Sequence, residues 1–292
     1  MIRVADFDLQ LTVMSGQPLA FHSDCSFGNV QNTVSYVTSS GAISVKHTGT
    51  SLSGALEYSY GGEYTDESAR AEITRRFGLD HDMSSIYARI GTDDLMKEAV
   101  SQLHGMRITR NDPWETLLCF IVSQFNNIKR IRNTTRMLIS RFGEGIDTAS
   151  GKRFPGPERF ANASLSSIRA CGTGFRDVYI KKAAKACSMD FDLSELGSYP
   201  YAEAKARLMG LPGVGDKVAD CVLLFGYGKL EAFPIDTWVK KTVESLYFKG
   251  SNMPVRKIHE FAYEQWGDMR GYAQQYLFWH GRESGFGGRL DA

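Results

Sequence analysis

The chain has 292 residues, 42% of them hydrophobic and 23% charged, with a formal net charge of +1; that suffices for one large core or two modest ones. Its five cysteines (25, 119, 171, 187 and 221) are scattered without a C-x-x-C spacing, which argues against a disulfide framework or a zinc site. Asp6 and Asp8 interrupt any signal-peptide core, and no apolar run approaches the roughly 20 residues of a membrane span, so a soluble protein of a reducing intracellular compartment (cytoplasm, nucleoid or nucleus) without a membrane partner is expected.

The first sixty residues carry strand chemistry. Phe7-Asp8-Leu9-Gln10-Leu11 alternates apolar and polar side chains, as do Val34 to Thr38 and Ile43 to Lys46, with Ser40-Gly41 predicted as the hairpin turn between the last two. Leu56 to Tyr60 is a further strand, ended by Gly61-Gly62. Thr65 then caps a helix predicted to run to about Phe77 and to close at Gly78. Residues 1–78 therefore predict a small antiparallel sheet carrying one helix. This part holds five Lys/Arg against eight Asp/Glu, so the positive excess lies downstream. It is clustered at Lys129-Arg130-Ile131-Arg132 with Arg136, at Lys181-Lys182 with Lys185, and at Lys240-Lys241. Such clusters neutralise phosphates in some proteins and are plain solvated helix faces in others.

From Leu79 onward the period becomes helical, with Ile86 and Ile90, then Leu95, Ala99 and Leu103. Asp112 and Pro113 open a helix whose Leu117, Leu118, Phe120, Ile121 and Val122 are too apolar for a surface position. Gly143 to Glu158 is predicted as a loop, and helices resume near Ser164, Val178, Tyr201, Asp216, Asp236, Val255 and Gly271. The predicted class is α+β, an N-terminal sheet domain over 1–78 followed by an all-helical region over 79–292.

The sharpest local feature is Leu211-Pro212-Gly213-Val214-Gly215-Asp216-Lys217-Val218-Ala219-Asp220-Cys221, between a helix ending near Met209 and another beginning near Asp216. Two glycines around one apolar residue permit a tight turn between antiparallel helices. The turn also bares backbone N–H groups at a helix N-terminus, a natural seat for a phosphate. A helix-hairpin-helix at about 202–226 follows, and by itself it is as often a short connection as a DNA-binding element through Gly213 and Gly215. Lys217 lies in the first turn of the second helix. There the positive end of the dipole disfavours an ammonium, and Val218 and Ala219 add desolvation, which together favour a neutral, nucleophilic amine. The competing role for Lys217 is a point charge on a phosphate. Cys221, four residues on, shares its helix face. In Phe233-Pro234-Ile235-Asp236-Thr237-Trp238, Pro234 forces an extended approach and Asp236 is a good N-cap. An Asp cap is ordinary, but one helix and a turn after Lys217 it can open onto the same cleft and pair a carboxylate with an amine.

These residues together resemble the 8-oxoguanine DNA glycosylase branch of the helix-hairpin-helix glycosylases. The likeness rests on 211–221 with Pro234 and Asp236, on Asn111-Asp112-Pro113 through Asn126, Asn127, Ile128 and Arg130 to Phe142-Gly143, on Ser15-Gly16-Gln17, on Gly174-Phe175-Arg176, and on Ala273-Gln274 to Leu277-Phe278. It implies a TATA-binding-protein-like sheet domain followed by helical domains, with the active site between them. It further implies Lys217 as a Schiff-base nucleophile and Asp236 as the catalytic carboxylate. By the same likeness the Gly16 carbonyl accepts the N7 hydrogen that distinguishes 8-oxoguanine from guanine. Cys221 and Phe278 grip the flipped base, Gln274 reads its Watson–Crick edge, and Pro234 lies beside the pocket. Phe175 and Arg176 meet the orphaned opposite base, with Arg130 as a second reader. The carbonyls of Met209, Leu211 and Val214 are implied as a monovalent-cation seat.

Two positions depart from the eukaryotic pattern. Phe125 stands where those relatives have the first Asn of an Asn-Asn-Asn run, and Trp238 where they have a His that contacts a phosphate. No cysteine follows Cys221, so the iron–sulfur loop of the endonuclease III-like branch is missing. The expected function is bifunctional excision of 8-oxoguanine from double-stranded DNA, by base flipping, lysine attack at C1′ and β-elimination. It needs no cofactor or catalytic metal, and a monomer is expected to perform it. The alternatives are an alkylbase DNA glycosylase, which lacks a lysine nucleophile, and a non-catalytic helix-hairpin-helix DNA-binding protein.

Overall fold

The computed structural model describes residues 1–18, 23–26, 32–145 and 151–283. Five strands, β1 (Ile2–Val4), β2 (Asp24–Ser26), β3 (Thr33–Thr38), β4 (Gly41–Gly49) and β5 (Gly54–Tyr60), form one antiparallel sheet in the order β1-β5-β4-β3-β2. Period-two alternation puts Val34, Tyr36, Ile43, Val45 and Leu56 on the buried face. Tyr36 stands opposite Ile43, and Val34 opposite Val45. The helix Asp66–Arg76, capped by Thr65, lays Ala69 and Ile73 into this face. Phe77 follows and meets Tyr36 and Phe7 edge-on, at 6.2 and 5.7 Å between ring centroids.

Two local expectations are corrected. Phe7 to Leu11 does not form a strand; Leu9–Met14 is a helix. Asp8 decides the matter, because its carboxylate accepts the Leu11 N–H (2.8 Å) and so starts a helix that buries Leu9, Thr12 and Val13 on one face. The β3–β4 turn falls at Ser39-Ser40, one residue earlier than expected, since Thr38 pairs with Gly41. The strands β1 and β2, which were not anticipated, are three-residue edges whose length leaves little periodicity to read.

The rest is helical, and the core is continuous with that of the sheet. Helices Met83–Ile90 and Asp94–Gln102 lead to Pro113–Ser123, in which Trp114 through Val122 are all buried. Ile128–Phe142 follows. Of the predicted loop from Gly143, residues 146–150 lie outside the described segments, and Pro157 already begins the helix Pro157–Asn162. Leu165–Ile168, Asp177–Met189, Tyr201–Met209, Asp216–Tyr227, Thr237–Tyr247, Val255–Trp266 and Arg270–Glu283 complete the α-helices of the described residues. No helix among the described residues is long and apolar enough to cross a membrane.

Buried polar side chains lock the two regions together. Arg107 donates to the carbonyls of Ala5, Asp6, Gly78 and His81 (2.7–3.1 Å). Asn111 accepts from Arg76 (3.2 Å) and binds the Phe225 carbonyl through its backbone N–H (2.7 Å). It thereby ties the sheet's helix to the far end of Asp216–Tyr227.

Candidate active site and nucleic-acid interface

The hairpin turns as its glycines require. Gly213 has φ +83°, and a Cβ there would sit 2.7 Å from Tyr179, so both the turn and the packing demand glycine. Gly215 caps Asp216–Tyr227 with no side-chain hydrogen bond, which leaves the first-turn N–H groups to a ligand. Leu211 O accepts one N–H, from Val214 (3.1 Å), and keeps a second lone pair, which fits a monovalent cation at the turn carbonyls.

Lys217 Nζ lies 3.4 Å from Ser123 Oγ and 4.8 Å from the centre of the Phe120 ring. Cys221 is buried one turn on. Burial pushes its thiol up to about 12, the nearby Lys217 charge opposes that rise, and Asp236 adds to it. Asp236 is the N-cap of Thr237–Tyr247, accepting from the Val239 N–H at 2.8 Å. Pro234 is buried just before it, and Trp238 is half-buried just after.

A second group forms where the N-terminal segment meets the last helix. Gly16, at φ +80°, packs so closely that a Cβ would lie 3.1 Å from the Phe278 ring. Its neighbours are fixed. Ser15 O accepts from Gln275 (2.8 Å), and the buried Gln17 side chain donates to Thr12 O and Arg107 O and accepts from Thr109. One turn before Phe278 stands Gln274, 4% exposed, whose Oε1 has no hydrogen-bond partner among the described residues. An unpaired buried acceptor costs about 1–3 kcal/mol, which points to a ligand that satisfies it.

The third group is a protrusion. Phe125 is 93% exposed and adopts φ +47°, a conformation rare for a bulky side chain. Its ring lies 6.5 Å from that of Phe175, which is also exposed. Arg176, expected to meet an opposite base, is 5% exposed and lies behind these rings. It donates to Thr173 O (3.1 Å), Gln124 O (2.8 Å) and Phe125 O (3.0 Å). Burial, and then the charge of Arg130, lowers its pKa from the guanidinium's ordinary value. Arg130 is exposed. Asn126 donates to Val122 O (3.1 Å), and Asn127 caps Ile128–Phe142 by accepting from the Arg130 N–H (2.9 Å).

Sequence reasoning missed Phe120, Ser123 and Gln124, because their contacts lie about ninety residues away along the chain. It also missed a network behind the hairpin, in which Lys205 Nζ binds Asp216 (2.8 Å) and Asp220 (2.9 Å), and His259 binds Asp216 (3.2 Å). Its only local sign was an Asp at both 216 and 220 on one helix.

The N-terminal domain model of 8-oxoguanine DNA glycosylase matches residues 1–117, and that of HhH-GPD superfamily base excision DNA repair proteins matches 118–267. The junction falls inside the buried helix Pro113–Ser123, so it is no flexible linker. Among solved structures, that of MBOgg1 in complex with a low affinity DNA ligand superimposes with a TM-score of 0.86, at 34% identity over 97% of this chain and 94% of that one. The Clostridium acetobutylicum 8-oxoguanine glycosylase/lyase bound to double-stranded DNA gives 0.84, at 28% identity over 96% and 93%. The probable N-glycosylase/DNA lyase of Methanothermobacter thermautotrophicus is 27% identical over 99% of this chain and 98% of its own. The chain belongs to the HhH-GPD superfamily of base excision DNA repair proteins, in the branch carrying the 8-oxoguanine DNA glycosylase N-terminal domain.

Proposed function

We propose that this protein binds duplex DNA as a monomer, excises 8-oxoguanine and then cleaves the strand, with Lys217 as nucleophile and Asp236 as its carboxylate partner. The observation that supports the residue assignment is the seat of each side chain at a helix N-terminus. Lys217 stands in the first turn of one helix, with Nζ 3.4 Å from Ser123 Oγ and 4.8 Å from the centre of the Phe120 ring, and Asp236 caps another by accepting from the Val239 N–H at 2.8 Å. Relatives named N-glycosylase/DNA lyase, and neighbours solved as 8-oxoguanine glycosylase/lyase, support the reaction class.

The hairpin N–H groups at Gly213 and Gly215 take a phosphate, and Met209, Leu211 and Val214 would hold a monovalent cation that adds positive charge there; no step of the chemistry passes through it. Phe125 and Phe175 wedge into the duplex as the lesion rotates out. Arg130 and Trp238 complete the contact with DNA, and Asn126, Asn127 and Arg176 shape the backbone that carries the wedge. In the pocket, Cys221, Pro234 and Phe278 flank the base, Gln274 Oε1 accepts from its Watson–Crick edge, and Gly16 O accepts the N7 hydrogen. The Lys217 amine attacks C1′ while the C1′–N9 bond breaks and the base departs with the electron pair. Asp236 stabilises the positive charge that builds on the sugar. The amine gives one proton to the departing base and, as the C1′–O4′ bond breaks and opens the sugar ring, a second to O4′, which leaves a C1′=N imine; β-elimination then removes a C2′ proton and breaks the 3′ C–O bond, releasing the 3′ phosphate.

Borohydride trapping on a duplex containing one 8-oxoguanine tests this reading. The wild type is expected to form a covalent adduct and Lys217→Gln none. Equal trapping of the variant would overturn the assignment of the nucleophile. Lys217 also counts against an alkylbase glycosylase, which operates without a lysine nucleophile.

A further inference from the structure

Residues 123–125 join three parts of the site that the chain keeps far apart. Ser123 Oγ meets the nucleophile, with Lys217 Nζ at 3.4 Å. Gln124 Nε2 donates to Gly213 O, at the apex of the hairpin, at 3.1 Å, and to Ile121 O, in the last turn of its own helix, at 3.2 Å. Phe125 is the exposed ring at φ +47°. The backbone between them is gripped from behind by Arg176, which holds the carbonyls of both Gln124 and Phe125.

An aromatic route closes the circuit. The Phe125 ring neighbours Phe175 at 6.5 Å, Phe175 meets Tyr179 edge-on at 6.3 Å, and Gly213 packs on Tyr179 so tightly that no Cβ fits. The wedge and the hairpin apex are therefore connected twice, through Gln124 and through Tyr179. The residue just before Gln124 touches the lysine. A displacement of Phe125 pulls on Gln124, whose side chain is fastened to the hairpin and whose neighbour is fastened to Lys217.

We infer that Gln124 is a positioning residue, coupling insertion of Phe125 and seating of the hairpin to placement of Lys217 at C1′. The inference rests on the reading of Lys217 and Phe125 given above. Gln124 touches neither the base nor the sugar. Its contribution is to make the wedge, the phosphate seat and the nucleophile move as one body, so that the amine reaches the sugar only when the duplex is opened.

The test is a double-mutant cycle on single-turnover excision of 8-oxoguanine, with Gln124→Met, Phe125→Ala and the pair together. Dissociation constants on a duplex carrying a tetrahydrofuran abasic analogue accompany it, as do melting curves. Methionine matches the length of glutamine and removes the bond to Gly213 O along with the local one to Ile121 O. Gln124→Met is expected to slow excision by roughly fivefold to tenfold, the scale of one lost neutral hydrogen bond, with affinity and melting unchanged. In the Phe125→Ala background it should cost nothing further, because the coupling is already cut. A wild-type rate in Gln124→Met, losses that simply multiply in the double variant, or a loss confined to affinity would each overturn the coupling. Should Met lower the melting temperature, Gln124→Asn, one methylene too short for Gly213 O, repeats the test on a folded protein. A wild type that leaves 8-oxoguanine in place overturns the proposed function; an active wild type with an unaffected Gln124→Met overturns only the coupling.

Discussion

Replacing Phe125 by Asn tests the wedge in two independent ways. The ring is 93% exposed and lies 6.5 Å from that of Phe175, so truncation forfeits little buried surface. The backbone at 125 has φ +47°, which costs a bulky residue about 1–2 kcal/mol and asparagine less. Phe125→Asn should therefore be more stable than the wild type by about 1 kcal/mol, a rise in Tm of about 2 °C for a chain of this size. Function should change in the other direction. A phenyl ring stacks with roughly 1–3 kcal/mol and without regard to base identity, whereas an amide that meets one base by hydrogen bonds discriminates by a similar amount. The wild type is thus expected to excise 8-oxoguanine opposite C, A, G and T at rates within about tenfold of one another. Phe125→Asn should be slower overall and more selective for cytosine. Single-turnover rates on four duplexes, with melting curves beside them, decide both points. Any preference shared by the two proteins is assigned to Arg130, which the substitution does not touch. A strict cytosine requirement in the wild type, unaltered in the variant, would refute the role given to the ring, and a lower Tm in the variant would refute the strain.

Asp236→Asn should keep both its helix cap and its DNA affinity, while single-turnover excision falls by a factor on the order of 10²; near-wild-type turnover in the folded variant would reduce Asp236 to a cap. Gln274→Leu removes a buried acceptor that has no partner among the described residues, so calorimetry should find the variant at least as stable as the wild type, by up to about 1–3 kcal/mol. Its discrimination of 8-oxoguanine from other flipped bases should weaken in competition assays. Glu115 is fully buried, and burial, with Asp112 adding, raises its pKa from 4.5 to about 8. The folded state therefore holds a proton that the unfolded chain releases, so this contribution to stability is complete below about pH 4.5 and drains away as pH rises to about 8, at no more than about 1.4 kcal/mol per pH unit. Glu115→Gln should accordingly gain on the wild type in denaturant melts at pH 8 and match it near pH 4.5.

What the sequence conveys about this protein is what neighbouring residues decide among themselves. Thr65, Asp112 and Asp236 each cap the helix that follows them, because an N-cap needs only its own side chain and the next three N–H groups. The hairpin at 211–215 is equally local, and so is Lys217 at the head of its helix. The same locality explains the one misassigned strand. Phe7, Leu9 and Leu11 satisfy a period of two, but Asp8 caps, and Leu9, Thr12 and Val13 satisfy a helical period that buries three residues at once. Edge strands of three residues carry too few positions for either period to register.

The part of the site that stayed hidden is the part built from distant segments, and there the residue type gives little warning. Arg176 reads in sequence as a cation available to a nucleic acid. In the fold it is spent on three backbone carbonyls, and the exposed charge beside it is Arg130. Gln124 reads as an ordinary polar residue at a helix end; only the fold brings Gly213 O within 3.1 Å of its amide. On the proposed reading the chemistry of this protein lies where two helices begin, at Lys217 and Asp236, and local rules place both side chains while the family resemblance gives them their roles. On the inference drawn from residues 123–125, its control lies in contacts between the end of one helix and the turn of another. A homologue that kept Lys217 and Asp236 but lost the contacts of 123–125 would look equally competent in sequence, yet by this reasoning it would bind DNA normally and excise slowly.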